Sequence, residues 1–319
     1  MNLPEPTLQI EFAAALEGAR TTVLREALGR VVKDLAISAL NKELDAIVPQ
    51  QALAALASRH MRAETLFPTP IVLRKQPSLI GYYRLLYGFS QKQFYTASTG
   101  CSPFKNMEMK GKLSAAADQK LDDLCREFSK AGAKLLAGIE DHLARPDLLH
   151  ELALLTLGAQ YRGGANNKRG AAGIKAVFEV IRTIIEDGIS SAGDMSIEVK
   201  NAAGKLVSIA LASDPDIFIK SHLGSGKTRP IVAIEVKAGE DQSNIHNRIG
   251  EAEKSHQKAK ASGVTECWTV INVPQADMAK LAQESPTTDR FYQLLELTDL
   301  SGQAHADFKE TVRDLIGLS

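Results

Sequence analysis

Ile231-Val232-Ala233-Ile234-Glu235-Val236-Lys237 is a run of β-branched residues of strand length. Alternate side chains of a strand share a face, so Glu235 and Lys237 point one way and Ile234 and Val236 the other. A carboxylate and an ammonium group at the end of an apolar strand ask for a chemical reason. Upstream, Asp214-Pro215-Asp216-Ile217-Phe218-Ile219 supplies a second strand, and Pro215 helps to set where it starts, because proline cannot donate to a ladder. If the two strands are neighbours, Asp216 and Glu235 can share one divalent cation, with the Val236 carbonyl as a third oxygen. Mg²⁺ prefers such oxygen ligands. Asp216, Glu235 and Lys237 are therefore candidate catalytic residues for phosphodiester hydrolysis. The cation neutralises charge on the phosphate, and Lys237 orients or helps to deprotonate the attacking water. The competing reading is an ion pair on an edge strand, with Asp216 in an ordinary turn.

Working outward, Gly224-Ser225-Gly226-Lys227-Thr228 lies between these strands and resembles the end of a phosphate-binding loop. That motif needs a further glycine where Ser221 stands and a helix afterwards, whereas Arg229-Pro230 and a strand follow. The segment is expected to be a turn, and no nucleotide cofactor is implied. Met195 to Lys200 and Lys205 to Ala212 flank Asn201-Ala202-Ala203-Gly204 as a hairpin. A helix from Ala171 to about Asp187 carries an apolar stripe of Ile174, Val177, Phe178, Ile181, Ile184 and Ile185. Its polar stripe holds Lys175, Glu179, Arg182 and Glu186; Glu179 is the candidate fourth acid, with Glu186 as the alternative. Before it, Arg162-Gly163-Gly164-Ala165-Asn166-Asn167-Lys168-Arg169-Gly170 is expected to be a flexible basic loop. After the site come a helix from Ser243 to about Ala261 and a buried strand from Cys267 to Val273. His246 and His256 are expected to be structural. This order of helix, strands, helix and strand describes an α/β core with a mixed sheet, taken to span residues 159–319.

Residues 1–158 read as a mainly helical region, with apolar residues at three- and four-residue intervals over Leu8 to Leu16, Thr21 to Leu44, Gln51 to Arg59, Ser114 to Ala144 and Leu148 to Leu157. Phe67 to Ser102, with Pro68, Pro70, Pro77 and Gly81, interrupts that pattern and holds an aromatic cluster. The 319 residues carry 38 basic and 38 acidic side chains, so a polyanion-binding chain must concentrate positive charge locally. Arg162, Lys168 and Arg169 on one side, and Lys254, Lys258 and Lys260 on the other, flank the candidate site. Phosphate contacts from such residues give sequence-independent affinity, to which Asn166 and Asn167 add hydrogen-bonding groups. Gln91 and Lys92, in Tyr87-Gly88-Phe89-Ser90-Gln91-Lys92-Gln93-Phe94-Tyr95, are candidate groove readers. Cys101, Cys125 and Cys267 lie far apart and read as reduced thiols of a cytoplasmic protein. No apolar run approaches membrane-spanning length.

Pro215-Asp216 followed by Glu235-Val236-Lys237, after a helix containing Glu179, resembles the PD-(D/E)XK nuclease superfamily. Ile234-Glu235-Val236-Lys237-Ala238-Gly239, Ser243-Asn244-Ile245-His246-Asn247-Arg248 and Gly250-Glu251-Ala252-Glu253-Lys254-Ser255-His256 look like the XcyI-like type II restriction endonucleases. Leu79-Ile80-Gly81-Tyr82-Tyr83-Arg84-Leu85-Leu86 with Phe89-Ser90-Gln91-Lys92 is similar to that family's N-terminal region. The resemblance implies a Mg²⁺-dependent, sequence-specific double-strand endonuclease, acting as a homodimer on a short palindrome such as CCCGGG. Asn244, Asn247 and Arg248 join the candidate DNA contacts, and the helical region is expected to supply dimer and groove contacts. Two alternatives remain open on the residues alone: a structure-specific repair or recombination nuclease of the same fold, and a non-catalytic DNA-binding protein.

Overall fold

A computed structural model describes residues 6–239, 241–274 and 276–318. The chain divides into two compact units, Met1–Gly164 and Ala165–Ser319. The first unit is helical: α1 (Thr7–Thr22), α2 (Arg25–Lys33), α3 (Ile37–Ile47), α4 (Gln50–Ser58), α5 (Pro70–Lys75), α6 (Ile80–Leu86), α7 (Gln91–Phe94), α8 (Lys105–Lys110), α9 (Ala115–Asp118) and α10 (Leu121–Gly138). The stretch read as helical over Thr21 to Leu44 holds α2 and α3, and that over Ser114 to Ala144 holds α9 and α10. The proline-rich interruption is itself built of short helices. Pro70 and Pro77 sit in first turns, where a missing N–H costs nothing. At the centre of this unit Arg84, fully buried, pairs through Nε and Nη2 with both Glu108 carboxylate oxygens, at 2.8 and 2.7 Å. Nη2 also reaches Gln160, and Tyr95 and Gln91 donate to Glu108. Burial raises the Glu108 carboxyl, but Arg84 and these donors outweigh it and hold it below its ordinary value.

One finding corrects the expected loop over residues 162–170. These residues lie inside an unbroken helix, α11 (Pro146–Ile184). Each glycine costs roughly 1 kcal/mol relative to alanine in a helix interior. The two helical flanks carry the pattern through them, as cooperative propagation allows. Farther along, Gly173 has a packing reason: a Cβ there would lie 2.1 Å from the Cβ of Ala238.

The second unit is a mixed sheet flanked by helices, with seven strands among the described residues and spatial order equal to chain order. The strands are β1 (Ile189–Ala192), β2 (Ser196–Lys200), β3 (Leu206–Leu211), β4 (Ile217–His222), β5 (Thr228–Lys237), β6 (Glu266–Ile271) and β7 (Arg290–Gln293). β1 to β5 pair antiparallel; β5, β6 and β7 pair parallel. The helices are α12 (Ile245–Ala261), α13 (Met278–Glu284), α14 (Leu294–Thr298) and α15 (Gln303–Ile316). Ile234, Val236 and Val232 of β5 pack with Val177, Phe178 and Ile181 of α11 and with Trp268 and Phe308. Ala233 packs the other way, with Ala259 of α12, Val264 and Cys267. The period-2 alternation of β5 therefore separates an α11 and α15 face from an α12 face, and both are covered. The glycine-rich segment is the turn between β4 and β5: Leu223 and Gly226 donate backbone bonds within it, and Gly226 takes φ +78°.

Candidate active site

β4 begins with Ile217 opposite Ile234, so the ladder on that side of β5 stops before Glu235. Asp216 fills the gap. Its Oδ2 accepts the Val236 N–H at 2.8 Å, where a longer β4 would have offered a backbone carbonyl. Glu235, only 5% exposed, projects toward α12. Its Oε2 accepts from Lys237 Nζ at 2.7 Å and its Oε1 from Ser255 Oγ of α12 at 2.6 Å. The same Ser255 hydroxyl contacts Asp214 Oδ1, and Asp214 Oδ2 accepts Lys258 Nζ at 2.9 Å. The three residues expected to meet at the end of β5 do so, within one hydrogen-bonded group.

Electrostatics separate the acids. Burial, and then the charge of Glu235, push the Asp216 carboxyl up to about 6, against opposition from the Val236 N–H and Lys237. The Ser255 hydroxyl and then Lys258 hold Asp214 below its ordinary value. A buried and a half-buried carboxylate whose mutual repulsion raises one member form an arrangement that a cation relieves. The donor set also suits a hard ion. In an antiparallel ladder a residue's N–H and C=O point to the same edge, so the Val236 carbonyl lies on the side of Asp216. No three His, Cys, Asp or Glu side chains among the described residues are grouped so as to hold a metal ion. Two carboxylates and one carbonyl therefore form the available set, which fits an ion that keeps most of its waters.

The other candidates are dispersed. Glu179, half-buried on α11, pairs with Arg182 at 3.5 Å, and among the described residues it makes no hydrogen bond or ion pair with Asp216 or Glu235. Glu186 is exposed in a 3₁₀ turn after α11. Arg162, Asn166, Asn167, Lys168 and Arg169 are exposed on α11; as helix residues three apart, Asn166 and Arg169 share a face. Gln91 donates to Glu108 at 2.9 Å and is thereby tied into the buried network, while Lys92 is exposed. Asn244, Asn247 and Arg248 do come together. With His246, Gly250, Glu251 and Lys254 they line a polar depression of about 560 Å³, in which Asn247 donates to Asn244 at 2.9 Å. Arg248 Nη1 is buried without a hydrogen-bond partner among the described residues and lies where a Cβ on residue 239 would be, so a larger residue there would displace the guanidinium. Of the expected basic helix cluster, Lys258 is paired with Asp214 and Lys260 with Asp289, which leaves Lys254 as the uncommitted charge among the described residues. His256 is a buried structural residue bonded to Thr269, and His246 meets Glu284 at the surface.

Ser255 and Asp214 were not singled out by sequence reasoning as parts of the site, and Lys258 was read only as a flanking phosphate contact. Ser255 lies 20 residues from Glu235 and 41 from Asp214, with no motif linking them. The only signal was its helical setting, with Ser255 three residues after Ala252 on the side facing β5.

Comparison with known proteins places these features in one family. The model of the XcyI restriction endonuclease family matches residues 13–319. The chain is 49% identical over 320 residues to the type II restriction enzyme XcyI of Xanthomonas campestris pv. cyanopsidis, covering 100% of this chain and 96% of that protein. It is 46% identical over 318 residues to the type II restriction enzyme Cfr9I of Citrobacter freundii, covering 99% and 96%. With a family match over nearly the whole sequence and a restriction-endonuclease-like α/β core, the chain belongs to the XcyI restriction endonuclease family.

Proposed function

We propose that this restriction endonuclease hydrolyses double-stranded DNA at a short palindromic site with Mg²⁺, using a PD-(D/E)XK centre. The observation that carries the reading is the gap in the β4–β5 ladder, where Asp216 bonds the Val236 N–H beside Glu235 and Lys237. Asp216, Glu235 and the Val236 carbonyl would hold the ion, which supplies charge neutralisation at the phosphate and acidifies water. Lys237 Nζ, largely buried against Glu235, is placed to orient the attacking water and stabilise developing negative charge. Of the acids on α11, Glu179 is the one kept as a fourth member; a Glu179→Gln variant cutting at the wild-type rate would remove it.

DNA contacts are assigned to the depression holding Asn244, Asn247 and Arg248, to the exposed side chains Arg162, Asn166, Asn167, Lys168 and Arg169, and to Lys92, with Gln91 positioned by Glu108. The helical unit is assigned dimer and groove contacts. A palindrome read by two copies of one chain calls for a two-fold homodimer. The relatives are named type II restriction enzymes, and a GC-rich CCCGGG-like site is our reading for this chain.

Plasmid digestion tests the reading. Discrete fragments are expected with Mg²⁺ and none with EDTA. Lys237→Ala should abolish cutting while specific DNA binding survives, and sequencing the ends gives the site. Cleavage of branched DNA without discrete plasmid fragments would instead indicate a structure-specific nuclease. Binding with no cleavage in Mg²⁺ or Mn²⁺ would indicate a non-catalytic DNA-binding protein.

A further inference from the structure

Asp216 and Glu235 belong to different segments, and their own chemistry drives them apart. What holds them in place is a chain of polar contacts that begins outside the pair. Lys258 of α12 binds Asp214 Oδ2, Asp214 Oδ1 meets Ser255 Oγ, and Ser255 Oγ meets Glu235 Oε1, whose second oxygen takes Lys237. Asp214 and Asp216 are separated only by Pro215, so the segment that carries Asp216 is tied to α12 through Asp214. Ser255 is 7% exposed, and its hydroxyl contacts both segments, at Asp214 and at Glu235. Its single hydroxyl proton serves two carboxylate acceptors, so it can lock the Glu235 side chain from the α12 side while the backbone N–H of Val236 locks Asp216 from the strand side.

We infer that Ser255 is a positioning residue: it fixes the Glu235 carboxylate and its spacing from Asp216, so that the pair is organised for a divalent cation before the cation arrives. This rests on the proposed metal-dependent reading of Asp216 and Glu235. Neighbours that orient a ligating carboxylate contribute to metal affinity through preorganisation, and their loss typically weakens binding on the order of 10–100-fold. Lys258 and Asp214 act one contact farther out.

The test compares wild type, Ser255→Ala, Ser255→Thr and Asp214→Asn as full chains. Mn²⁺ binding is measured by calorimetry, single-turnover cleavage across a Mg²⁺ titration, and specific DNA binding without divalent ions. Ser255→Ala should weaken Mn²⁺ binding on the order of tenfold and raise the Mg²⁺ concentration for half-maximal cleavage by a similar factor. DNA affinity without metal should be unchanged, and Ser255→Thr, which keeps the hydroxyl, should restore most of the loss. Asp214→Asn should move both metal readouts the same way by a smaller factor, which keeps the test decisive if Ser255→Ala does not fold. Wild-type Mn²⁺ affinity and Mg²⁺ dependence in Ser255→Ala, or in Asp214→Asn where Ser255→Ala does not fold, would overturn the assignment of Ser255. A wild-type chain that neither binds Mn²⁺ nor cuts would overturn the metal reading beneath it.

Discussion

At the scale of single residues, Asp216 is an acid of the site whose charge the fold disfavours. Its folded carboxyl titrates at about 6, above the ordinary 3.8, because burial and Glu235 disfavour its charge. A raised folded value means that the native state holds the proton more tightly than the unfolded chain. The stabilising contribution is thus complete below about 3.8 and is lost as pH rises through about 6. At pH 8 without divalent ions, Asp216→Asn should be more stable than wild type, by on the order of 1 kcal/mol once solvent screening of this half-buried group is allowed for. The difference should vanish below pH 4, and Mg²⁺ should raise the melting temperature of wild type only. Thermal denaturation across pH reads all three, and a wild-type advantage at pH 8 would contradict them. Cleavage by the variant should fall by at least about a hundredfold. Asp216, Glu235 and Lys237 were legible as residues because period-2 alternation and a proline place them by local rules. Ser255 and Asp214 were not, since their roles arise from the docking of α12 on β5. The same docking pairs Lys258 with Asp214, so a lysine that reads as a phosphate contact in one dimension is neutralised in three.

At the scale of elements, strands with strong alternation were legible: β2, β3, β4, β5 and β6 fall where their apolar patterns predict them. β1 and β7 escaped because each has four residues and little apolar alternation, as Ser190-Ser191 and Arg290 show. The helix α11 is the larger departure. Gly163, Gly164 and Gly170 imitate a loop, yet the strong formers on either side carry helix through them. That continuity is testable at Lys168, which is exposed. Lys168→Ala should leave stability within about 0.5 kcal/mol, whereas Lys168→Pro should cost about 3 kcal/mol or more. Urea denaturation and helical circular dichroism distinguish the outcomes; two equally harmless substitutions would mean that the segment is a loop. In the first unit, Arg84 and Glu108 set a comparable trial. Arg84→Met leaves a carboxylate buried with its ionic partner gone and should cost roughly 3–5 kcal/mol.

At the scale of the molecule, the family match runs from residue 13 to residue 319 and so takes in both units. Charge balances at 38 against 38, so attraction to DNA has to come from where the basic groups stand. No helix among the described residues is long and apolar enough to cross a membrane. The proposed two-fold assembly leads to a concrete expectation. Sedimentation should give about twice 34.5 kDa at working concentration. Supercoiled plasmid should pass to the linear form with little nicked circle accumulating. A protomer-sized species that builds up nicked circles would argue for a monomer that cuts one strand at a time.

The sheet's order bears on how the site is assembled in time. Strands that are neighbours in the chain are neighbours in space, and β4 and β5 form one hairpin closed by a short turn. Contacts between sequence neighbours carry a small loop-closure cost and favour rapid folding, whereas parallel pairing to β6 must wait for α12 to cross over. Asp216 and Glu235 therefore meet within a local unit, and the repulsion between them is met early. The helix that contacts Glu235 through Ser255 is the crossover that parallel pairing of β5 with β6 requires, so that non-local pairing is also the step that finishes the site.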